Sequence, residues 1–143
     1  AQMARTESIS IHVRRGDYAS NVATTATHGL CSIAYYNAAL RLLLGRVNDP
    51  HVFVFSDDIA WVRKQLNIPC PHTIVHHNQG ERSHFDMHLM SCCKHHIIAN
   101  SSFSWWGAWL NQQPDKIVIA PQTWFSTKRF DTKDLLPESW IRF

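Results

Sequence analysis

What most constrains this chain is a repeated alternation of short apolar runs with stretches of helical period. Ser8-Ile9-Ser10-Ile11-His12-Val13 alternates polar and apolar residues, the period of a strand. A polar loop follows to about Leu30. Ser32 is then placed to cap a helix whose Ile33, Tyr36, Leu40 and Leu43 share one face, with Gly45 at its end. Residues 51–55 read as a second strand, Ser56-Asp57-Asp58 as a helix start, and 61–66 as a helix broken by Pro69 and Pro71. A third strand is expected at 73–76, a loop at 78–83 and a helix at 85–94. A fourth strand at 95–99 runs into a helix opened by 100–104, and a fifth at 116–120 stops at Pro121, leaving a loop-rich aromatic tail. Strand and helix alternate without repeats or low-complexity segments. The expectation is an α/β fold, a Rossmann-like parallel sheet with helices on both faces, forming one domain over residues 1–143.

Composition narrows the function classes. At 143 residues, 45% hydrophobic and 17% charged, the chain has enough apolar material for a core without staples. A formal charge of +3 with no long basic run suits a small anion better than nucleic acid. Cys31, Cys70, Cys92 and Cys93 have no framework spacing, so reduced thiols in a cytosolic protein are expected rather than a disulfide scaffold. No apolar run reaches membrane length, no signal peptide is expected, and the opening residues are consistent with a segment of something longer.

Parallel sheets bind ligands at the carboxyl ends of their strands, and three polar clusters fall there: Arg14-Arg15-Gly16-Asp17, Ser56-Asp57-Asp58 and Asn100-Ser101-Ser102. Arg14 at a strand tip can grip a phosphate in bidentate fashion; the plainer alternative is a surface Arg pair beside a turn. The hydroxyl-rich helix start at Ser101, Ser102 and Phe103 offers backbone N–H groups and the helix dipole to an anion, which is compatible with ordinary capping. Asp57 and Asp58 resemble a metal-binding pair, but an N-cap is the preferred reading, because Arg14 and a helix start can balance a diphosphate without a metal. His84, His88 and Cys92, with Cys93 nearby, fall on one helix face. Zinc is conceivable there, yet the closed ligand spacing is missing and packing is preferred. Asp86 is of a type that accepts two hydrogen bonds from guanine.

These residues carry a family resemblance. His12-Val13-Arg14-Arg15-Gly16-Asp17-Tyr18, Ser56-Asp57-Asp58 with Trp61, Asp86-Met87-His88-Leu89-Met90-Ser91 and Asn100-Ser101-Ser102-Phe103-Ser104-Trp105-Trp106-Gly107 recur in order. So do Ile119-Ala120-Pro121, Trp124-Phe125 and the closing Leu136-Pro137-Glu138-Ser139-Trp140-Ile141. Over nearly its whole length the chain resembles the bacterial alpha-1,2-fucosyltransferases of glycosyltransferase family 11. The resemblance implies the donor-binding half of a two-domain GT-B enzyme, with the amino-terminal acceptor domain absent from residues 1–143. It implies GDP-fucose as donor substrate, a glycan acceptor, no cofactor, no metal, and inverting transfer to a galactoside 2-hydroxyl. It further implies a bacterial location in the cytoplasm or peripheral to the inner membrane. Arg14, Ser101, Ser102 and the Phe103 amide are then expected at the β-phosphate, His12 and Asp86 at guanine, and Asp57 or Asp58 shaping the nucleotide pocket. Asp17, the one carboxylate in the first motif, is the candidate general base. The competing reading is a non-catalytic nucleotide-binding module or an inactive truncated donor domain.

Overall fold

The computed structural model describes residues 6–15, 31–75, 83–122 and 136–143. Along these the chain forms β1 (Glu7–Val13), α1 (Ile33–Leu44), β2 (Pro50–Ser56), α2 (Ile59–Gln65) and β3 (His72–Val75). It continues with α3 (Ser83–Ser91), β4 (His95–Ile97), α4 (Ser102–Trp109), β5 (Val118–Ala120) and β6 (Ile141–Arg142). The six strands make one sheet in the order β3-β2-β1-β4-β5-β6. Every pairing is parallel.

The strand alternation assigns the two faces. Ile9, Ile11 and Val13 of β1, Val52 and Val54 of β2, Ile97 and Ile119 form one core with Tyr36, Leu40 and Leu43 of α1 and Val62 of α2. The alternate residues Phe53, Phe55 and Val75 meet Met90 and Cys93 on the opposite face. Val118 and Ala120 join Ala108 of α4 and Trp140 there. A sheet covered on both sides by helices is the Rossmann-like arrangement expected from the sequence. Helices α3 and α4 touch closely at Gly107, where a Cβ would stand 2.6 Å from Met90 Cε and 3.1 Å from Met90 Cβ.

Most element ends differ from the sequence reading by one to three residues, and two differences have clear local reasons. Helix α3 ends at Ser91 rather than at 94, because the Lys94 backbone N–H donates to Ser8 O and Ser8 Oγ, both at 3.0 Å, and so belongs to the approach to β1. The tail holds a strand where loop was expected. Strand β6 has only two residues, too short to leave a periodic signal, and extends the sheet beside β5, with Phe143 N–H donating to Ala120 O at 3.1 Å. Among the described residues no helix is long and apolar enough to cross a membrane.

The face of β1 beneath α3 and α4 is polar yet buried, with Ser8 0%, Ser10 2% and His12 6% exposed. Such a stripe stands only if its groups are paired. Asn111 Oδ1 accepts from Gln113 N–H at 2.9 Å, which fixes the amide and directs Nδ2 to Cys93 O at 2.7 Å and His96 Nε2 at 2.8 Å. His96 Nε2 therefore accepts, and the ring proton sits on Nδ1, 2.8 Å from Ser10 Oγ. Burial, followed by the nearby Lys116 and His95 charges, pushes the His96 imidazole down to about 3.

This arrangement predicts an acid-sensitive fold. The unfolded chain protonates His96 near 6.5, while the folded chain does so only near 3. Stability from the neutral ring is therefore complete above pH 6.5 and is lost as the pH falls from there toward 3. Urea unfolding between pH 4 and 6 should show a His96→Asn variant less stable at neutral pH but with a shallower pH slope, by up to ~1.4 kcal/mol per pH unit for one proton. An unchanged slope would show that His96 is not what titrates.

Candidate functional site

In this strand order the chain winds outward from β1 in one direction through β2 and β3, then returns and winds the other way through β4, β5 and β6. The crossovers diverge between β1 and β4, which opens a crevice at the carboxyl ends of those two strands. The residues leaving β1 and those leading into α4 line that crevice.

On the β1 side, register builds the site. Val13 pairs with Ser56, so the next residues of the two strands bring Arg14 opposite Asp57 and Arg15 opposite Asp58. Ser56 ties the strand ends together: its hydroxyl donates to Val13 O at 2.8 Å and accepts from Asp58 N–H at 2.9 Å. Asp57 Oδ2 accepts from Arg14 Nη1 at 3.0 Å, and Asp57 Oδ1 accepts from the Arg15 backbone N–H at 2.9 Å. Successive side chains of an extended segment point opposite ways, and Arg15 turns to the other partner. Its guanidinium lies 4.3 Å from the centre of the Trp61 ring, with Nε 3.7 Å from Asp58 Oδ2. Asp58 also caps α2, its Oδ1 accepting from Trp61 N–H at 3.1 Å. The capping role preferred from the sequence therefore falls on Asp58, while Asp57 serves the arginines.

The β4 side is a rigid strand-to-helix turn. Ser101 is the N-cap of α4, its Oγ accepting from Phe103 N–H at 3.2 Å. Ser104, wholly buried, accepts from Ala99 N–H and donates to Ala99 O, both at 3.2 Å. Asn100 is buried and accepts from the Cys31 thiol at 3.6 Å. Burial pushes that thiol up to about 11, so it stays protonated. Ser102 is exposed at the first position of the helix. The positive end of the α4 dipole thus faces the same crevice as Arg14.

His12 lies between the two sides. Its ring is tilted against Phe103 with centroids 5.3 Å apart. Burial pushes the imidazole down to about 4, outweighing the opposing pull of Asp57, with Arg14 adding to the fall. Its Nδ1 is buried without a hydrogen-bond partner among the described residues. A neutral ring with one unfilled polar atom is costly in a fold unless a bound group completes it.

Strand register thus brings the exit of β1, with His12, Arg14 and Asp57, to the same sheet edge as Ser101, Ser102 and Phe103, and His12 touches Phe103 directly. Asp58 stands one step away with Arg15. Asp86 lies half-buried in the first turn of α3, on the His12 face of the sheet. Asp17 lies outside the described residues, as do the predicted loop from Asn78 and the Trp124-Phe125 pair. His88 Nε2 and Cys92 Sγ are 3.9 Å apart, whereas His84 packs on Phe85, and no group of three His, Cys, Asp or Glu among the described residues is placed to hold a metal ion. Sequence reasoning missed the two tyrosines behind the crevice. Tyr36 Oη donates to His12 O at 3.1 Å, and Tyr35 Oη donates to Ile98 O at 2.6 Å and Ile119 O at 3.1 Å. A tyrosine on an apolar helix face reads as core, and only the register shows which carbonyls its hydroxyl reaches.

Comparison with known proteins places the chain in a family. The model of Glycosyl transferase family 11 matches residues 2–143. An alpha-1,2-colitosyltransferase of Escherichia coli is 49% identical over 96% of this chain and 48% of its own length. The O-antigen biosynthesis glycosyltransferase WbnK of Escherichia coli is 41% identical over 92% of this chain and 43% of its own. A galactoside 2-alpha-L-fucosyltransferase of Bos taurus, SEC1, is 31% identical over 71% of this chain and 28% of its own. The chain thus spans about half or less of the length of these relatives. No solved structure gives a significant match.

The geometry separates the two arginines, and melting experiments test the separation. Arg15→Ala removes the Trp61 contact and the partly screened Asp58 pair, and should lower Tm by about 3–6 °C, on the order of 1–2 kcal/mol. Arg15→Lys should recover only part of the loss, since an ammonium lacks the flat face that stacks on indole. Unchanged melting of Arg15→Ala would remove the structural role.

Proposed function

Because the chain belongs to glycosyltransferase family 11, we propose that it forms the donor-binding part of a glycosyltransferase that moves fucose from GDP-fucose to the 2-hydroxyl of a galactoside, with inversion. The observation that carries this reading is the convergence, at one topological switch point, of Arg14, the amino-terminal end of α4 and a buried neutral His12 whose Nδ1 has no hydrogen-bond partner among the described residues. A cation and a helix start suit a diphosphate, and a neutral ring nitrogen suits the polar edge of a base. Asp86, on the same face, supplies a carboxylate for guanine's N1–H and exocyclic amine. With these groups present, the diphosphate needs neither a divalent metal nor a cofactor for charge balance.

In the proposed reaction the acceptor hydroxyl attacks the anomeric carbon of the donor. The new carbon–oxygen bond forms as the bond from that carbon to the β-phosphate oxygen breaks, and GDP leaves with the electron pair. The acceptor proton passes to a general base, for which Asp17 is the candidate. Negative charge grows on the departing β-phosphate, where Arg14 and the α4 dipole oppose it more strongly in the transition state than in the ground state. In this chain the Phe103 amide is engaged by Ser101 Oγ, so Ser102, exposed at the helix start, is the more accessible donor to the phosphate.

A second reading differs only in the sugar. The 49% identity with a protein named as a colitosyltransferase favours colitose as the transferred group, with the same phosphate and base contacts. Assays offering nucleotide-linked fucose and colitose in parallel separate the two. The kinetic test of either is Arg14→Lys in the full-length protein. Charge is kept but the planar fork is lost, so turnover should fall about a hundredfold, ~3 kcal/mol, with a smaller change in KM. Near-normal turnover in a folded Arg14→Lys variant would end the phosphate assignment.

A further inference from the structure

We infer that Asp57 is a positioning residue for Arg14, aiming the guanidinium into the crevice rather than touching the donor itself. This inference rests on the assignment of Arg14 to the donor phosphate. A free arginine side chain holds much rotamer entropy, and a phosphate clamp loses part of its binding energy when that freedom is frozen at the moment of binding. Here the freedom is already restricted. Arg14 is about one-third exposed, at 32%, yet its Nη1 is fixed 3.0 Å from Asp57 Oδ2. The carboxylate is not itself loose, because its other oxygen accepts the Arg15 backbone N–H at 2.9 Å.

Asp57 is thus anchored by the backbone of the residue that follows the one it orients. The register of β1 on β2, closed by Ser56 Oγ on Val13 O, fixes the distance between the two strand exits. A guanidinium tethered at Nη1 samples fewer orientations than a loose one, which favours the two-pronged recognition of phosphate oxygens. The negative charge of Asp57 also tempers the pull of Arg14 on the ground-state diphosphate. Its removal should therefore cost turnover more than donor affinity, as loss of the Arg14 fork does, but only while the Arg14 guanidinium is present to be aimed.

The test is a double-mutant cycle on the full-length enzyme, recording kcat, donor KM and Tm for Asp57→Ala, Asp57→Asn, Arg14→Lys and the Arg14→Lys/Asp57→Ala pair. Asp57→Ala should lower kcat by about tenfold or more while KM changes less than about threefold. Asp57→Asn keeps an oxygen for the Arg15 N–H without the charge, and should fall between Asp57→Ala and wild type. In the Arg14→Lys background, where there is no guanidinium to aim, Asp57→Ala should cost less than about threefold. Wild-type kcat in Asp57→Ala, or the same loss in both backgrounds, overturns the inference; the second result would give Asp57 a separate role such as that of a base. If Asp57→Ala does not fold, Asp57→Asn carries the same comparison. Normal turnover in Arg14→Lys overturns the phosphate assignment instead, whereas an impaired Arg14→Lys beside a normal Asp57→Ala overturns only the positioning role.

Discussion

The Asp57 carboxylate takes two donors from consecutive residues at the exit of β1, the Arg14 guanidinium and the Arg15 amide, and the geometry of the crevice follows from that clasp. Register alone brings the groups together. A slip of one residue between β1 and β2 would put Arg14 beside Asp58 and turn the alternating core residues of β1 to the wrong face, so the pairing that builds the core also builds the site. The hydrophobic faces of Ile9, Ile11 and Val13 against α1 therefore do functional duty at a distance. They hold the strand whose end delivers Arg14.

The second dependence is electrostatic. Arg14, paired with Asp57, and the amino-terminal end of α4 stand beside groups kept neutral by burial. His12 and His96 are both pushed down, and the Cys31 thiol is pushed up, each chiefly because burial disfavours its charged form. In the proposed reaction such a site would act by being organised in advance of the chemistry, opposing charge that appears only as the phosphate leaves. The buried polar stripe of Ser8, Ser10, His12 and His96 continues this logic into the fold, ending at the one ring whose Nδ1 has no partner among the described residues.

Much of this was legible in the sequence, for identifiable reasons. The period-two pattern of Ser8-Ile9-Ser10-Ile11-His12-Val13 is unambiguous, and a strand followed at once by Asn100-Ser101-Ser102 announces both a turn and a cap. The parallel, doubly covered sheet and the gathering of Arg14 with the α4 start follow from those signals. The division of labour between Asp57 and Asp58 was not readable, since adjacent carboxylates look alike until register decides which faces Arg14 and which faces Trp61. Nor were the Tyr35 and Tyr36 hydroxyl bonds, which join residues 63 and 24 positions apart. Strand β6 escaped because two residues carry no period.

In the proposed function this crevice is a guanine nucleotide site in which Arg14 and the α4 start hold the diphosphate. Calorimetric titration of the full-length protein with GDP, UDP and ADP tests it most directly. GDP should bind at least about tenfold more tightly than either of the others, ~1.4 kcal/mol of base discrimination. Equal affinity for all three, or no binding of any, would contradict it.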